Sequence, residues 1–99
     1  MGILKKLKER KQIKRRIKET RLEMSKIYME ILAGLRNSVL LHSKISKLLS
    51  GGSIQEIKEN MEEYRALYEK IQKLAHSHDR RRSELFMLLN GVLVGGENV

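Results

Sequence analysis

Thirteen cations gathered at two places in the chain are the residues whose chemistry is easiest to name. Lys5, Lys6, Lys8, Arg10, Lys11, Lys14, Arg15, Arg16, Lys18 and Arg21 crowd the first 21 residues against only Glu9 and Glu19, so this segment carries +8 of the formal net charge of +9. Arg80, Arg81 and Arg82 form a second cluster. At 100° per residue the first ten cations encircle a helix, interrupted only by Ile3, Leu4, Leu7, Ile13 and Ile17. A helix lying in a bilayer surface gathers its apolar residues on one side. A helix tracking nucleic acid can carry cations all round and gains from counterion release at each phosphate. The expected partner is therefore nucleic acid, duplex DNA met through its backbone and without sequence preference, with all thirteen cations as contacts. Two alternatives remain open. In one the chain is an adaptor or assembly subunit for a helical protein and the charges keep it in solution; in the other it is a peripheral binder of anionic membrane, with Ile3, Leu4 and Leu7 as the inserting tip.

Other side chains offer less. There is no cysteine, which excludes a thiolate metal site, a disulfide framework and a Cys nucleophile. His76 and His78 stand two apart, about 200° around a helix, and His42 falls on or beside an apolar stripe, so no metal site, cofactor or general base is expected. Tyr28, Tyr64, Tyr68 and Phe86 sit at apolar positions and read as packing residues rather than a stacking platform for single strands. Neither a glycine-rich phosphate loop after a strand nor a nucleophile elbow is present. The chain reads as a non-enzyme.

The elements that must position the cations follow from spacing. With 99 residues, 4% aromatic, 33% charged and no proline, the composition favours long helices over sheets. From Ile3 to Leu49 only Gly34 weakens a helix, by about 1 kcal/mol relative to Ala. Met24, Ile27, Tyr28, Ile31, Leu32, Leu35, Val39, Leu41, Ile45, Leu48 and Leu49 make one apolar stripe along it. Gly51 and Gly52 are expected to supply left-handed backbone, and Ser53-Ile54-Gln55-Glu56 reads as a capping box that starts a second helix. There Ile54, Ile57, Met61, Tyr64, Tyr68, Ile71, Ala75 and His78 suggest a heptad seam, widened by Leu67 and Leu74.

So short a connection makes the helices antiparallel, with residue 50 − n near 54 + n. The glutamates of helix two, from Glu56 to Glu69, then face Arg36, Lys44 and Lys47, and cross-helix ion pairs are expected. The apolar run Leu85, Phe86, Met87, Leu88, Leu89 and Val92 falls opposite the cationic part of helix one, which offers few apolar neighbours. Two outcomes fit. Leu85, Phe86, Leu88, Leu89 and Val92 form a homodimer seam, or helix two breaks at Ser77-His78-Asp79 and a third helix folds back; dimerisation is the preferred one. After Asn90-Gly91 the helix is expected to end.

The sequence thus predicts an all-α, coiled-coil-like antiparallel hairpin that dimerises into a four-helix bundle. Its parts are a basic arm over residues 1–21, a hairpin over 22–94 turning at 50–53, and a flexible tail over 95–99. A basic region followed by heptads is also the chain order of bZIP proteins, but the hairpin turn and the lack of the basic-region Asn signature separate the two. With no apolar stretch long enough to span a bilayer and no signal-peptide core, the expected location is the cytoplasm.

Overall fold

Two helices account for the fold. A computed structural model describes the backbone of residues 2–97 and the side chains of residues 2–91. Helix α1 spans Gly2–Gly51 and helix α2 spans Ile54–Glu97, packed as an antiparallel hairpin. The chain divides into two compact units: unit 1 comprises Met1–Lys26 with Ser77–Val99, and unit 2 comprises Ile27–His76. Each unit therefore contains a piece of both helices.

In unit 2 the connection is tighter than the sequence suggests. Helix α1 runs through Gly51, and no glycine among the described residues takes a positive φ. The turn needs glycine for another reason. The Gly52 amide donates to the Leu48 carbonyl at 2.6 Å, and a Cβ at position 52 would lie 2.6 Å from Leu48 Cδ2 and 2.9 Å from the Leu48 carbonyl oxygen. Close approach, not left-handed backbone, excludes a side chain there. Ser53 then opens α2 as the cap: its Oγ accepts from the Glu56 amide at 3.2 Å, and its carbonyl accepts from Ile57 N at 3.1 Å. The Glu56 carboxylate makes no return bond among the described residues, so only the Ser53 half of the capping box forms.

The packed seam of unit 2 is heptad in both helices. Ile27, Ile31, Gly34, Ser38, Leu41, Ile45 and Leu48 on α1 are the shielded positions, at alternating steps of four and three. The single stripe read from the sequence thus resolves into two. Tyr28, Leu32, Leu35, Val39 and Leu49, one residue further on, stay exposed. On α2 the shielded positions are Ile57, Asn60, Leu67, Ile71 and Leu74, with Tyr64 at the margin. This corrects the expected phase: Met61 and Tyr68 point outward, while Asn60 and Leu67 face α1. The cause is size rather than polarity. Gly34 opens a hollow so shallow that a Cβ there would meet Ile71 Cγ1 at 2.9 Å, with Leu67 Cδ1 at 3.9 Å. Ser38 beside it is small and disposes of its hydroxyl on the Leu35 carbonyl at 2.7 Å. The bulk of Leu67 and Ile71 fits where α1 is thin.

Asn60 is the polar member of this seam. Its Nδ2 donates to the Glu56 carbonyl at 2.7 Å, and its Oδ1 is buried without a hydrogen-bond partner. The expected ion pairs between the glutamates of α2 and Arg36, Lys44 and Lys47 do not form among the described residues. The one ion pair in unit 2 is local, Arg65 Nε to Glu69 Oε1 at 3.5 Å. Lys44 and Glu63 instead border an open groove with Asn37 and Lys70.

Unit 1 continues the same spacing. Ile13, Ile17, Thr20 and Met24 on α1 and His78, Arg81, Leu85 and Leu88 on α2 are its shielded positions. Helix α2 passes through Ser77-His78-Asp79 without a break, which removes the third-helix alternative. It also passes Asn90-Gly91 and reaches Glu97, so the helix end expected there is not observed. Of the expected tail, residues 98 and 99 lie outside the described residues. Among the described residues no apolar side chain is fully buried, and Thr20 and Asn60 are the only buried polar ones.

Candidate nucleic-acid interface

Unit 1 holds 14 basic and 6 acidic residues, a net charge of +8, whereas unit 2 holds 7 and 6. Within unit 1 the seam places the arm beside the second cation cluster. Arg81 Nε reaches Glu23 Oε2 at 2.8 Å and its Nη1 reaches Glu84 Oε2 at 3.0 Å; Glu84 Oε1 accepts from Arg16 Nη2 at 3.4 Å. The chain Glu23–Arg81–Glu84–Arg16 ties the two helices together along one side of the seam. Arg15 pairs with Glu19 at 3.1 Å and Arg82 with Asp79 at 3.4 Å, each within its own helix. These are exposed pairs worth a few tenths of a kcal/mol to about 1 kcal/mol.

The thirteen expected contacts therefore fall into two groups. Arg15, Arg16, Arg81 and Arg82 already face carboxylates. Lys5, Lys6, Lys8, Arg10, Lys11, Lys14, Lys18, Arg21 and Arg80 have no carboxylate partner among the described residues. Lys14, Lys18 and Arg21 each follow a seam residue by one position, and Lys11 lies one turn before Lys14 and Arg15. They line the side of α1 away from Glu23 and Glu84. The sequence reading of cations all round is thus refined: Glu23 and Glu84 pair with cations on one flank, while on the other Asp79 pairs only with Arg82 of its own helix and Lys14, Lys18 and Arg21 have no carboxylate among the described residues. Which arginines are compensated across the seam depends on the register of α1 against α2, which the turn sets: Glu23 stands opposite Arg81.

The start of α1 adds to the same potential. Its first turn contains no acidic residue, so the partial positive charge of the helix N-terminus is reinforced by Lys5 and Lys6. Ile3 and Leu4 beside them are 78% and 71% exposed.

The residues expected to form a dimer seam separate likewise. Leu85 and Leu88 are half-buried at shielded positions of the hairpin's own seam, while Phe86, Met87 and Leu89 are exposed. Ile13, Ile17 and Met24 are the half-buried apolar residues of α1 in the same unit. The Val92 side chain lies outside the described residues. Among the histidines, His42 packs its ring at 6.4 Å and 54° to Tyr64 in unit 2, and His78 is half-buried in the seam of unit 1. No group of three His, Asp or Glu side chains among the described residues is placed to hold a metal ion.

Comparison with protein-family models, with curated proteins and with solved structures finds no match.

Proposed function

We propose that the protein binds the phosphate backbone of duplex nucleic acid, without base preference, through the uncompensated cations of unit 1, and that it does so as a homodimer. The observation that carries this reading is the segregation of charge. Nine cations lack a carboxylate partner among the described residues, and they belong to a unit of net charge +8. An isolated helix with ten cations in twenty residues repels itself; a polyanion relieves that repulsion and gains counterion-release entropy. Arg81 and Arg16 act differently from the rest. Tied to Glu23 and Glu84, they hold α2 against the arm and so set the surface that meets phosphate.

The test is fluorescence anisotropy of labelled duplex DNA across a salt series, comparing the full chain with Lys11→Gln/Lys14→Gln/Lys18→Gln. Glutamine keeps helix propensity close to that of lysine. Each phosphate contact contributes about −0.9 to the slope of log K against log salt, so the triple variant should be shallower by roughly 3. Absence of binding by the full chain at low salt would end this reading.

A second reading is favoured by the apolar tip. Ile3, Leu4 and Leu7 are exposed among Lys5, Lys6 and Lys8, a combination that also suits the surface of an anionic bilayer. Co-sedimentation with phosphatidylserine vesicles decides it: Leu4→Gln/Leu7→Gln, which adds no charge to the arm, should abolish membrane binding and leave DNA binding nearly intact.

A further inference from the structure

We propose that Phe86 is a base-stacking residue on the phosphate-binding flank of unit 1, and that the preferred ligand of this flank is a nucleic acid carrying an unpaired base beside the backbone it grips. The proposal rests on the phosphate-binding reading above and adds to it the kind of nucleic acid.

The two flanks of the unit 1 seam are told apart by its ion pairs. Arg16 with Glu84 and Arg81 with Glu23 lie along one of them. The heptad spacing puts Lys11, Lys14, Lys18 and Arg21 of α1 on the other, and on α2 it puts Asp79, Arg82, Phe86 and Leu89 on that same side. Asp79, which pairs with Arg82 at 3.4 Å, is the acid of this flank among the described residues, against five cations. Phe86 lies one turn after Arg82, and the pairing of 50 − n with 54 + n sets it opposite Lys18. It is 65% exposed, whereas Leu85 and Leu88 on either side of it are half-buried at seam positions. Packing within the hairpin, the role expected of Phe86 from the sequence, is taken by those two leucines.

Charge and shape together identify the occupant. Lys11, Lys14, Lys18 and Arg21 make a row about 15 Å long on α1. The axes of two packed helices stand about 8–10 Å apart, so phosphates seated on that row have Phe86 and Arg82 to one side, where bases of the same strand can reach. An aromatic ring beside a row of cations is an arrangement on which bases stack whatever their identity, and the Arg82 guanidinium offers a second flat surface. In an intact duplex both faces of each base are already covered. A bulged or single-stranded nucleotide has a face to give. A bilayer suits the flank less well, because a helix lying in one gathers its apolar residues on one side, and here Lys11 and Lys14 stand between Phe86 and the tip of Ile3, Leu4 and Leu7.

Fluorescence anisotropy of the full chain with a labelled duplex, and with the same duplex carrying a one-nucleotide bulge, tests this. The parent should bind the bulged form roughly five- to a hundredfold more tightly, the contribution of one stacked base. Phe86→Leu should bind both forms as the parent binds the intact duplex, and Phe86→Tyr, which keeps an aromatic face, should retain the preference. The salt slope should be the same in all three proteins, because no cation is lost. Circular dichroism and sedimentation velocity control for fold and mass. Equal binding of the two duplexes by the parent, or a preference that survives in Phe86→Leu, overturns the proposal. So does a Phe86→Leu protein that loses affinity for both duplexes together with a change in mass, which makes the ring a contact between copies, or one that loses only co-sedimentation with phosphatidylserine vesicles, which makes it a lipid contact. Salt-dependent binding of the intact duplex reads the phosphate contacts by themselves, so failure of one reading is distinguishable from failure of the other.

Discussion

In unit 1 the residues that follow Ile13, Ile17 and Thr20 are Lys14, Lys18 and Arg21; in unit 2 those that follow Ile27, Ile31, Gly34 and Ser38 are Tyr28, Leu32, Leu35 and Val39. The backbone is the same continuous helix and the seam spacing is the same. The flank alone changes from cationic to apolar. The ion pairs change with it. Those of unit 1 include two that cross between helices, Arg81 with Glu23 and Arg16 with Glu84, whereas the pair of unit 2 stays on one helix. A heptad seam can thus be held constant while its neighbours decide what the surface meets, because the seam needs only shape and the flank determines charge and desolvation.

The sharpest way to break that contrast is to give unit 1 the flank of unit 2. Lys14→Leu/Lys18→Leu/Arg21→Leu should lower duplex DNA affinity roughly ten- to a hundredfold through three lost phosphate contacts, and should raise the sedimenting mass as a new apolar face appears. Unchanged affinity would place the phosphate contacts elsewhere. The next effect is on the seam of unit 2. Gly34→Leu overfills the hollow under Ile71, and even after the gain in helix propensity the net cost is expected at about 1–3 kcal/mol, read as a lower urea midpoint. Asn60→Leu should act in the opposite direction. It removes a buried acceptor with no partner, and stabilisation of about 1 kcal/mol, a rise of some 4–8 °C in Tm for a domain of this size, is expected. The smallest effect sharpens the comparison from the electrostatic side. Arg81→Gln should cost at most about 1 kcal/mol, because its pairs are half exposed, and should change the salt slope of DNA binding far less than Lys14→Gln does.

Much of the hairpin is legible in the sequence because its signals are local. Ser53 and the glycines before it mark the turn. Arg81 and Glu23 stand where the pairing of 50 − n with 54 + n puts them. What was not legible depends on the fit between helices. Met61 is more apolar than Asn60, yet Asn60 faces inward, because the narrow places at Gly34 and Ser38 set the rotation of α2 and Met61 lies about 100° away from it. Asn90-Gly91 carries an ending signal that the helix overrides. In the candidate interface the accumulation of lysine and arginine is plain from composition. The pairing of Arg16 with Glu84 is not, since Glu84 lies 68 residues away and one turn before the position that the 50 − n with 54 + n pairing puts opposite Arg16.

The hollow at Gly34 also bears on motion. Two helices joined by a heptad seam can in principle slide past each other by seven residues and find apolar neighbours again. Such a slip would carry Ile71 off a residue without a Cβ, where an added Cβ would already lie 2.9 Å from Ile71 Cγ1, and onto Ile27 or Leu41, the equivalent positions one heptad away, which carry full side chains. The missing side chain works as a notch: it admits one alignment of the hairpin and makes the neighbouring ones collide.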